Sequence, residues 1–178
     1  MIRSRNRFDI VGQLGSLRRY ARSLTRDATE AEDLVHDALV RAYERRATWR
    51  SGGNLRAWLL SIMHNAFIDR ARSRRAEAGR IDAAYQLTET RADPPQEHVV
   101  RLAQVRQAFF GLPEDQRAAL HLVAIEGLSY QEAADALKIP LGTLMSRIGR
   151  ARATLRALEA DAPSQPRTHL KIIGGRDE

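Results

Sequence analysis

Apolar positions along this chain recur every three or four residues, the period of one helical face, and no stretch alternates apolar and polar with strand chemistry. From about Phe8 to Thr25, the residues Leu14, Leu17, Ala21 and Leu24 form one stripe. After a break at "RDAT", Thr29 and Glu32 read as a T-x-x-E capping box. That box opens a second helix to about Arg46, striped by Val35, Ala38, Leu39, Ala42 and Tyr43. "WRSGGN" is a loop: its glycine pair breaks the helix, and Asn54 supplies an N-cap for a third helix reaching about Arg75. Leu55, Trp58, Leu59, Ile62, Ala66 and Phe67 give that helix its apolar side.

The pattern dissolves between Glu77 and Pro95. Four acids (Glu77, Asp82, Glu89, Asp93) stand there against two arginines, and the segment ends in "DPP", which pushes Asp93 away from helical geometry. Helical spacing resumes from about Gln96 to Phe110. A further helix follows, with Pro113 in its first turn, carrying Ala119, Leu120, Val123 and Ala124 and ending by Gly127. The expected fold is therefore all-α, as two small helical domains. A three-to-four-helix bundle spans 8–76, a flexible linker 77–95 and a helix-turn-helix domain 96–160, and composition marks 161–178 as a disordered tail. Hydrophobic residues make up 43%, so real cores are possible, but two cores would each be small.

"SYQEAADALKIPLGTLMSRIGRARATL", Ser129 to Leu155, is the most informative stretch. Ser129 and Glu132 form an S-x-x-E capping box, and the small Ala133 and Ala134 allow close helix approach. Pro140 stops that helix, and a new one begins near Leu141. Leu144, Ile148, Ala151 and Leu155 lie at i, i+4, i+7 and i+11 and form the buried stripe of the new helix. Thr143, Ser146, Arg147 and Arg150 are expected opposite it, with Arg152 and Arg156 further along. Such a pair matches a helix-turn-helix, whose second helix lies in the DNA major groove. Arginines on an exposed face more often only keep a protein soluble. The capped helix, the proline hinge and the absence of acids from Met145 to Leu158 tip the reading towards DNA.

Composition sharpens this picture. The 178 residues carry 29 basic and 22 acidic side chains, a net charge of +7, and only Lys138 and Lys171 are lysine. Guanidinium forks pair two-pronged with phosphates and base edges. The chain has no cysteine, which excludes disulfides and thiolate metal sites. Neither a signal peptide nor an apolar run of the roughly 20 residues that span a bilayer is visible, so the expected location is the cytoplasm, with no membrane partner.

"GLSYQEAADALKIPLGTLMSRIGRARATL", preceded by "LPEDQRAALHLVAIE", resembles the −35-reading region of bacterial sigma factors. "AEDLVHDALVRAYERR" and "NLRAWLLSIMHNAFIDRARSRR" resemble their core-polymerase-binding and −10-reading region. Order and separation agree over about Leu14 to Leu158, and the short length resembles the extracytoplasmic-function class.

The resemblance implies that the second helix docks on the β′ clamp helices of core RNA polymerase through Asp33, Asp37, Arg41 and Glu44, with the β flap a further contact. The bland alternative is a solvated face with internal ion pairs. His36 stands where relatives commonly carry glutamine. The resemblance also implies that the third helix and its preceding loop melt and read the −10 element. Melting costs on the order of 1.4 kcal/mol per base-pair step in stacking, which base capture must offset. Trp49, Ser51, Asn54 and Asn65 are the candidates for that capture, with Arg70, Arg72, Arg74 and Arg75 holding phosphates. Trp58 reads as core, and Asn65 could instead bond Asp69. In the helix-turn-helix, Ser146 and Arg147 are expected to carry −35 selectivity, and Thr143, Arg150 and Arg152 to hold phosphate. Met145 and Gly149 replace larger or basic residues, and the acidic linker would thread towards the RNA exit channel. Promoter DNA and an inhibitory anti-sigma protein complete the implied partners; no cofactor or metal is implied.

Two rivals remain at this level. A stand-alone helix-turn-helix regulator would bind operators without polymerase. A metal enzyme could use Glu32, Asp33 and His36, although no second carboxylate–histidine pair accompanies them.

Overall fold

The computed structural model describes residues 8–50, 52–78 and 97–160. Among these residues there are seven α-helices and no strands: α1 Leu14–Thr25, α2 Ala28–Glu44, α3 Leu55–Ala78, α4 Glu97–Gly111, α5 Glu114–Leu120, α6 Tyr130–Leu137 and α7 Leu141–Ala160. Single 3-10 turns lie at Val11–Gln13 and Arg46–Thr48, and a π-helical turn at His121–Ile125. Ser51, most of the expected linker and the tail 161–178 lie outside the described residues.

The helix starts follow side-chain chemistry, with two corrections. α2 opens on Asp27, not on a Thr29 capping box. The Asp27 carboxylate accepts from Glu30 N at 2.8 Å, which places Thr29 inside the helix. Glu32 is thereby free to take both its oxygens to Arg18 on α1. Pro113 is the N-cap of α5 rather than its first turn, because its ψ of 143° is extended. Asn54 caps α3 as its type predicts, accepting from Ala57 N at 3.2 Å. The Ser129–Glu132 capping box of α6 is present in both directions. α6 ends at Lys138, in the left-handed region at φ 54°, and Pro140 O receives the first amides of α7. The turn between α6 and α7 is therefore Lys138–Pro140.

α1, α2 and α3 pack on one another, as do α5, α6 and α7. α3 also packs on α6 and α1 on α5, so the buried side chains of the two domains form one continuous cluster from Leu17 to Ala151. α6 presents Ala133, Ala134, Ala136 and Leu137, all buried, so its small residues fit between neighbours on both flanks. Tyr43, expected in the α2 stripe, is 62% exposed. The buried face of α2 is Ala31, Leu34, Val35, Ala38 and Ala42, and Tyr43 falls about 100° beyond it.

Gly149 sits in the interior of α7 with no atom within 4 Å of where a Cβ would stand. Gly149→Ala is expected to stabilise the fold by about 1 kcal/mol by restricting the unfolded chain and favouring helix, read from urea denaturation. A lower midpoint would show that α7 needs the glycine.

Candidate nucleic-acid and polymerase interfaces

α2 offers two different polar surfaces rather than one. Asp37 and Arg41 face α3. Arg41 Nε donates to Asp37 at 2.9 Å and Arg41 Nη1 to Asp69 at 2.7 Å, while Arg70 Nε donates to Asp37 at 3.2 Å and Arg70 Nη2 to Asp33 O. The bond to Asp69 first, and Asp37 behind it, raise the pKa of Arg41 above the usual arginine range. This lattice stitches α2 to α3. The outward face instead carries Asp33, His36 and Glu44, with Val40 44% exposed beside Tyr43. Arg46 lies over the Tyr43 ring at 4.2 Å. Val40, His36 and Tyr43 were not selected as contacts from sequence. A helical wheel centred on the small residues Ala31, Ala38 and Ala42 would have turned them outward.

The −10 candidates divide similarly. Arg74 donates to both oxygens of Glu30 on α2, and Arg70 joins the lattice just described. Arg72 and Arg75 are exposed. Asn65 Nδ2 donates back to Ser61 O at 2.6 Å, not to Asp69, which Arg41 already holds. Trp49 is half-buried against Phe8, with ring centroids 5.5 Å apart, and Phe8 also meets Trp58 at 5.8 Å. The Trp49 Nε1 is buried without a hydrogen-bond partner. Asn54 uses both ends of its amide: besides capping α3, its Nδ2 donates to Glu132 Oε1 on α6 at 2.7 Å. That bond first, and the Ser129 backbone second, hold the Glu132 carboxyl below its usual range.

On α7, Thr143, Ser146, Arg150 and Arg152 are exposed, together with Met145 and Gly149. Arg150 Nη2 donates to Ser146 Oγ at 2.9 Å. Arg147 was expected opposite the buried stripe but lies on its flank, with its side chain 27% exposed and Nε 3.1 Å from Asp115 Oδ2. The pairing engages the guanidinium at Nε.

Sequence reasoning missed the buried polar groups between the halves. Arg117 of α5, 2% exposed, donates to Ser23 O and Leu24 O at the end of α1 and to Leu112 O at 2.7 Å. The last carbonyls of a helix have no partner within it, and its C-terminus favours a cation. Burial first, and Arg26 nearby second, lower the pKa of Arg117 to about 10. Glu126, just past the π-helical turn, takes Nε and Nη2 of Arg19, both at 3.1 Å, and His121 Nε2 at 3.3 Å. Burial acts to raise its pKa, but the bonds from His121, Arg19 and Ser16 outweigh that and hold it at about 2. Arg56 Nη1 donates to Glu126 O, beside a shallow cleft lined by Asp9, Gln13, Asn54 and Leu128. The only sequence hint was two charges, Arg117 and Glu126, bracketing an apolar run.

The metal arrangement considered from sequence is not assembled: Glu32 is engaged by Arg18, and no three His, Asp or Glu side chains converge among the described residues.

The sequence matches two family models, Sigma-70 region 2 over residues 10–77 and Sigma-70 region 4 over residues 102–155. It is 40% identical over 152 residues to the ECF RNA polymerase sigma factor EcfG of Rhodopseudomonas palustris, covering 85% of this chain and 83% of that one. It is 32% identical over 143 residues to the ECF RNA polymerase sigma factor SigM of Mycobacterium tuberculosis, covering 80% and 70%. Among solved structures it is similar to the sigma factor RpoE in complex with the anti-sigma factor NepR from Bartonella quintana, with 33% identity, a TM-score of 0.74, and 86% and 96% of the two chains covered. It is also similar to CnrH in complex with the cytosolic domain of CnrY, with 30% identity, a TM-score of 0.60, and 86% of each chain covered.

His64 gives this body an acid limit. The Tyr20 hydroxyl, kept protonated by burial, shares a hydrogen bond with His64 Nδ1 at 3.0 Å. Burial first, then Arg147 and Lys138, lower the His64 pKa from 6.5 to about 4. Between those values the unfolded chain binds a proton that the folded chain refuses, so stability falls as pH drops from 6.5 to 4. Glu126 acts in the same direction lower down: its contribution is complete above about 4.5 and is lost as pH falls towards 2. His64→Gln, which can still accept from Tyr20, is expected to flatten the pH dependence of unfolding between 6.5 and 4 by on the order of 2–3 kcal/mol. An unchanged slope in urea titrations would assign it elsewhere.

Proposed function

The chain belongs to the extracytoplasmic-function class of the sigma-70 family, and on that premise we propose how it works as an alternative sigma factor, binding core RNA polymerase and directing initiation at promoters with matching −10 and −35 elements. The observation that carries this is both regions in one chain, in the family's order, each with an exposed face suited to its share of the work. It is an initiation factor rather than an enzyme, working beside polymerase in the cytoplasm. No described helix is long and apolar enough to cross a membrane.

The outward face of α2, with Asp33, His36, Val40, Tyr43 and Glu44, meets the polymerase clamp. An exposed valine and tyrosine rimmed by carboxylates has the composition of a protein interface centre and its polar edge. Asp37 and Arg41 set the angle of α2 on α3 instead of touching the partner. At the −10 element, the loop before α3 and its amides Asn54 and Asn65 capture bases, while Arg72 and Arg75 hold the strand. At the −35 element, α7 enters the major groove. Ser146 and Arg147 read bases there, Arg147 with its fork steadied by Asp115, and Thr143, Arg150 and Arg152 hold phosphates. The similarity to the sigma factor RpoE, solved in complex with the anti-sigma factor NepR, supports control of this chain by an anti-sigma protein as well.

Promoter-specific run-off transcription with sigma-free core enzyme tests the reading, and no defined starts would overturn it. In that assay Arg147→Ala should narrow the difference between good and poor −35 sequences by about 1–3 kcal/mol in apparent binding, whereas Arg72→Ala should weaken all promoters alike. Val40→Asp should lower core affinity at least about tenfold in a pull-down titration, while leaving stability within about 0.5 kcal/mol, since the side chain is largely exposed.

A further inference from the structure

Two of the exposed large apolar side chains among the described residues sit in the first five residues of α7. Leu141 is 40% and Met145 57% exposed, four positions apart on the helix proposed to enter the major groove. The buried stripe of α7 does not use them, since Leu144, Ile148 and Ala151 fill it. At the helical period, Met145 stands about 90° to one side of that stripe. Arg147 flanks the stripe on its other side, paired with Asp115. The crest between them is small, with Gly142, Ser146 and Gly149 in one row. No atom lies within 4 Å of where a Cβ would stand at either glycine, so nothing inside the molecule fills the space over the crest. A helix with a low crest can sit deep in a groove, with longer side chains reaching from its two edges.

We propose that Met145 is a specificity-determining residue for the −35 element and reads the C5 methyl of a thymine, with Leu141 extending the same apolar edge towards the start of α7. The proposal rests on the sigma reading above. The surroundings of Met145 select its partner. Thr143, Arg150 and Arg152 are exposed on the same helix, and no acid occurs from Met145 to Leu158. The centre of a protein interface is depleted of charge, whereas an apolar group set among arginines suits a polyanion that carries an apolar feature. On the base edges of the major groove, that distinct apolar feature is the thymine methyl. Nearby, Arg150 donates to Ser146 Oγ at 2.9 Å, a pair matched to phosphate and to polar base edges. Met145 supplies what such a pair cannot, contact with a methyl group. Its unbranched thioether has three rotatable bonds and adapts to the depth at which the methyl lies.

Deoxyuridine in place of thymine removes that methyl and keeps the base pair, so it tests the contact directly. The probe is the strongest promoter that the full chain and core enzyme recover from a duplex library randomised over both elements. It is remade with each −35 thymine, on either strand, replaced in turn. With the native chain, one replacement should weaken binding about fourfold, as burial of a single methyl group implies. Met145→Ala should weaken the thymine promoter by about that factor and bind the thymine and deoxyuridine forms equally. Met145→Leu should keep the discrimination. Because Met145 is largely exposed, both variants should keep the native circular dichroism and urea midpoint. A native complex with no sensitive thymine overturns the proposal. So does a penalty that persists in Met145→Ala, since another group then meets the methyl. Lower core affinity of Met145→Ala in a DNA-free pull-down also overturns it and assigns the apolar edge to a protein partner. Defined starts without a methyl effect sink this proposal and leave the sigma reading standing. If core enzyme gives no defined starts, the sigma reading fails, and the same replacements in duplexes selected by the chain alone decide the role of Met145; selection of none overturns it.

Discussion

A guanidinium buried against the end of a helix sets the architecture of this molecule. Arg117 has no carboxylate partner among its hydrogen bonds; it is held by backbone carbonyls of α1 and by Leu112 O. Those α1 carbonyls would otherwise be stranded, and the helix C-terminus carries the partial negative charge the arginine needs. Each side satisfies what the other lacks, and the two sides belong to different regions. The registry of α5 on α1 follows, and with it the position of Glu126 over Arg19 and of α6 along α3. Apolar burial supplies most of the favourable free energy, but it is indifferent to small slips. The fixed fork of Arg117 is not, which is why one side chain can specify how two helical bundles meet.

The helices themselves were legible because periodicity and caps are local. Leu17, Ala21 and Leu24, or Leu144, Ile148 and Ala151, face inward as their spacing requires, and Asn54 and Ser129 cap where their chemistry predicts. The start of α2 was misread because two overlapping cap signals, Asp27 and Thr29, stand two residues apart, and only the backbone decides between them. The seam was illegible for a deeper reason. A buried Arg117 and an exposed Arg152 look alike in sequence, and what separates them is a pair of carbonyls nearly a hundred positions away. The same holds for Arg70 and Arg74. Their position at the end of α3 suggested a phosphate track, yet α2 presents Asp37 and Glu30 to them.

Arginine's dominance over lysine takes on a second meaning here. Many of these forks are engaged inside the molecule: Arg18 with Glu32, Arg19 with Glu126, Arg41 with Asp37 and Asp69, Arg147 with Asp115. Exposed pairs of this kind contribute little to stability. Their effect is on direction. A flexible ammonium would sample many positions, whereas a fork held at Nε presents its terminal nitrogens along one line. Arg147 illustrates the point, since its partner Asp115 opens α5 and so ties the orientation of a candidate base-reading side chain to the helix that carries Arg117.

That coupling explains why the polar chemistry of the seam and of the candidate reading surfaces overlaps. Asn54 caps α3 with its oxygen and binds Glu132 with its nitrogen, so an amide proposed to meet a flipped base is already satisfied within the molecule. Glu132, in turn, closes the capping box of α6 and can release Asn54 without losing that role, because Ser129 N uses its other oxygen. An amide left bare at the tip of a basic surface would bind any strand it met. If Asn54 has the −10 role proposed for it, a base must compete with Glu132 for the same amide before it can be captured.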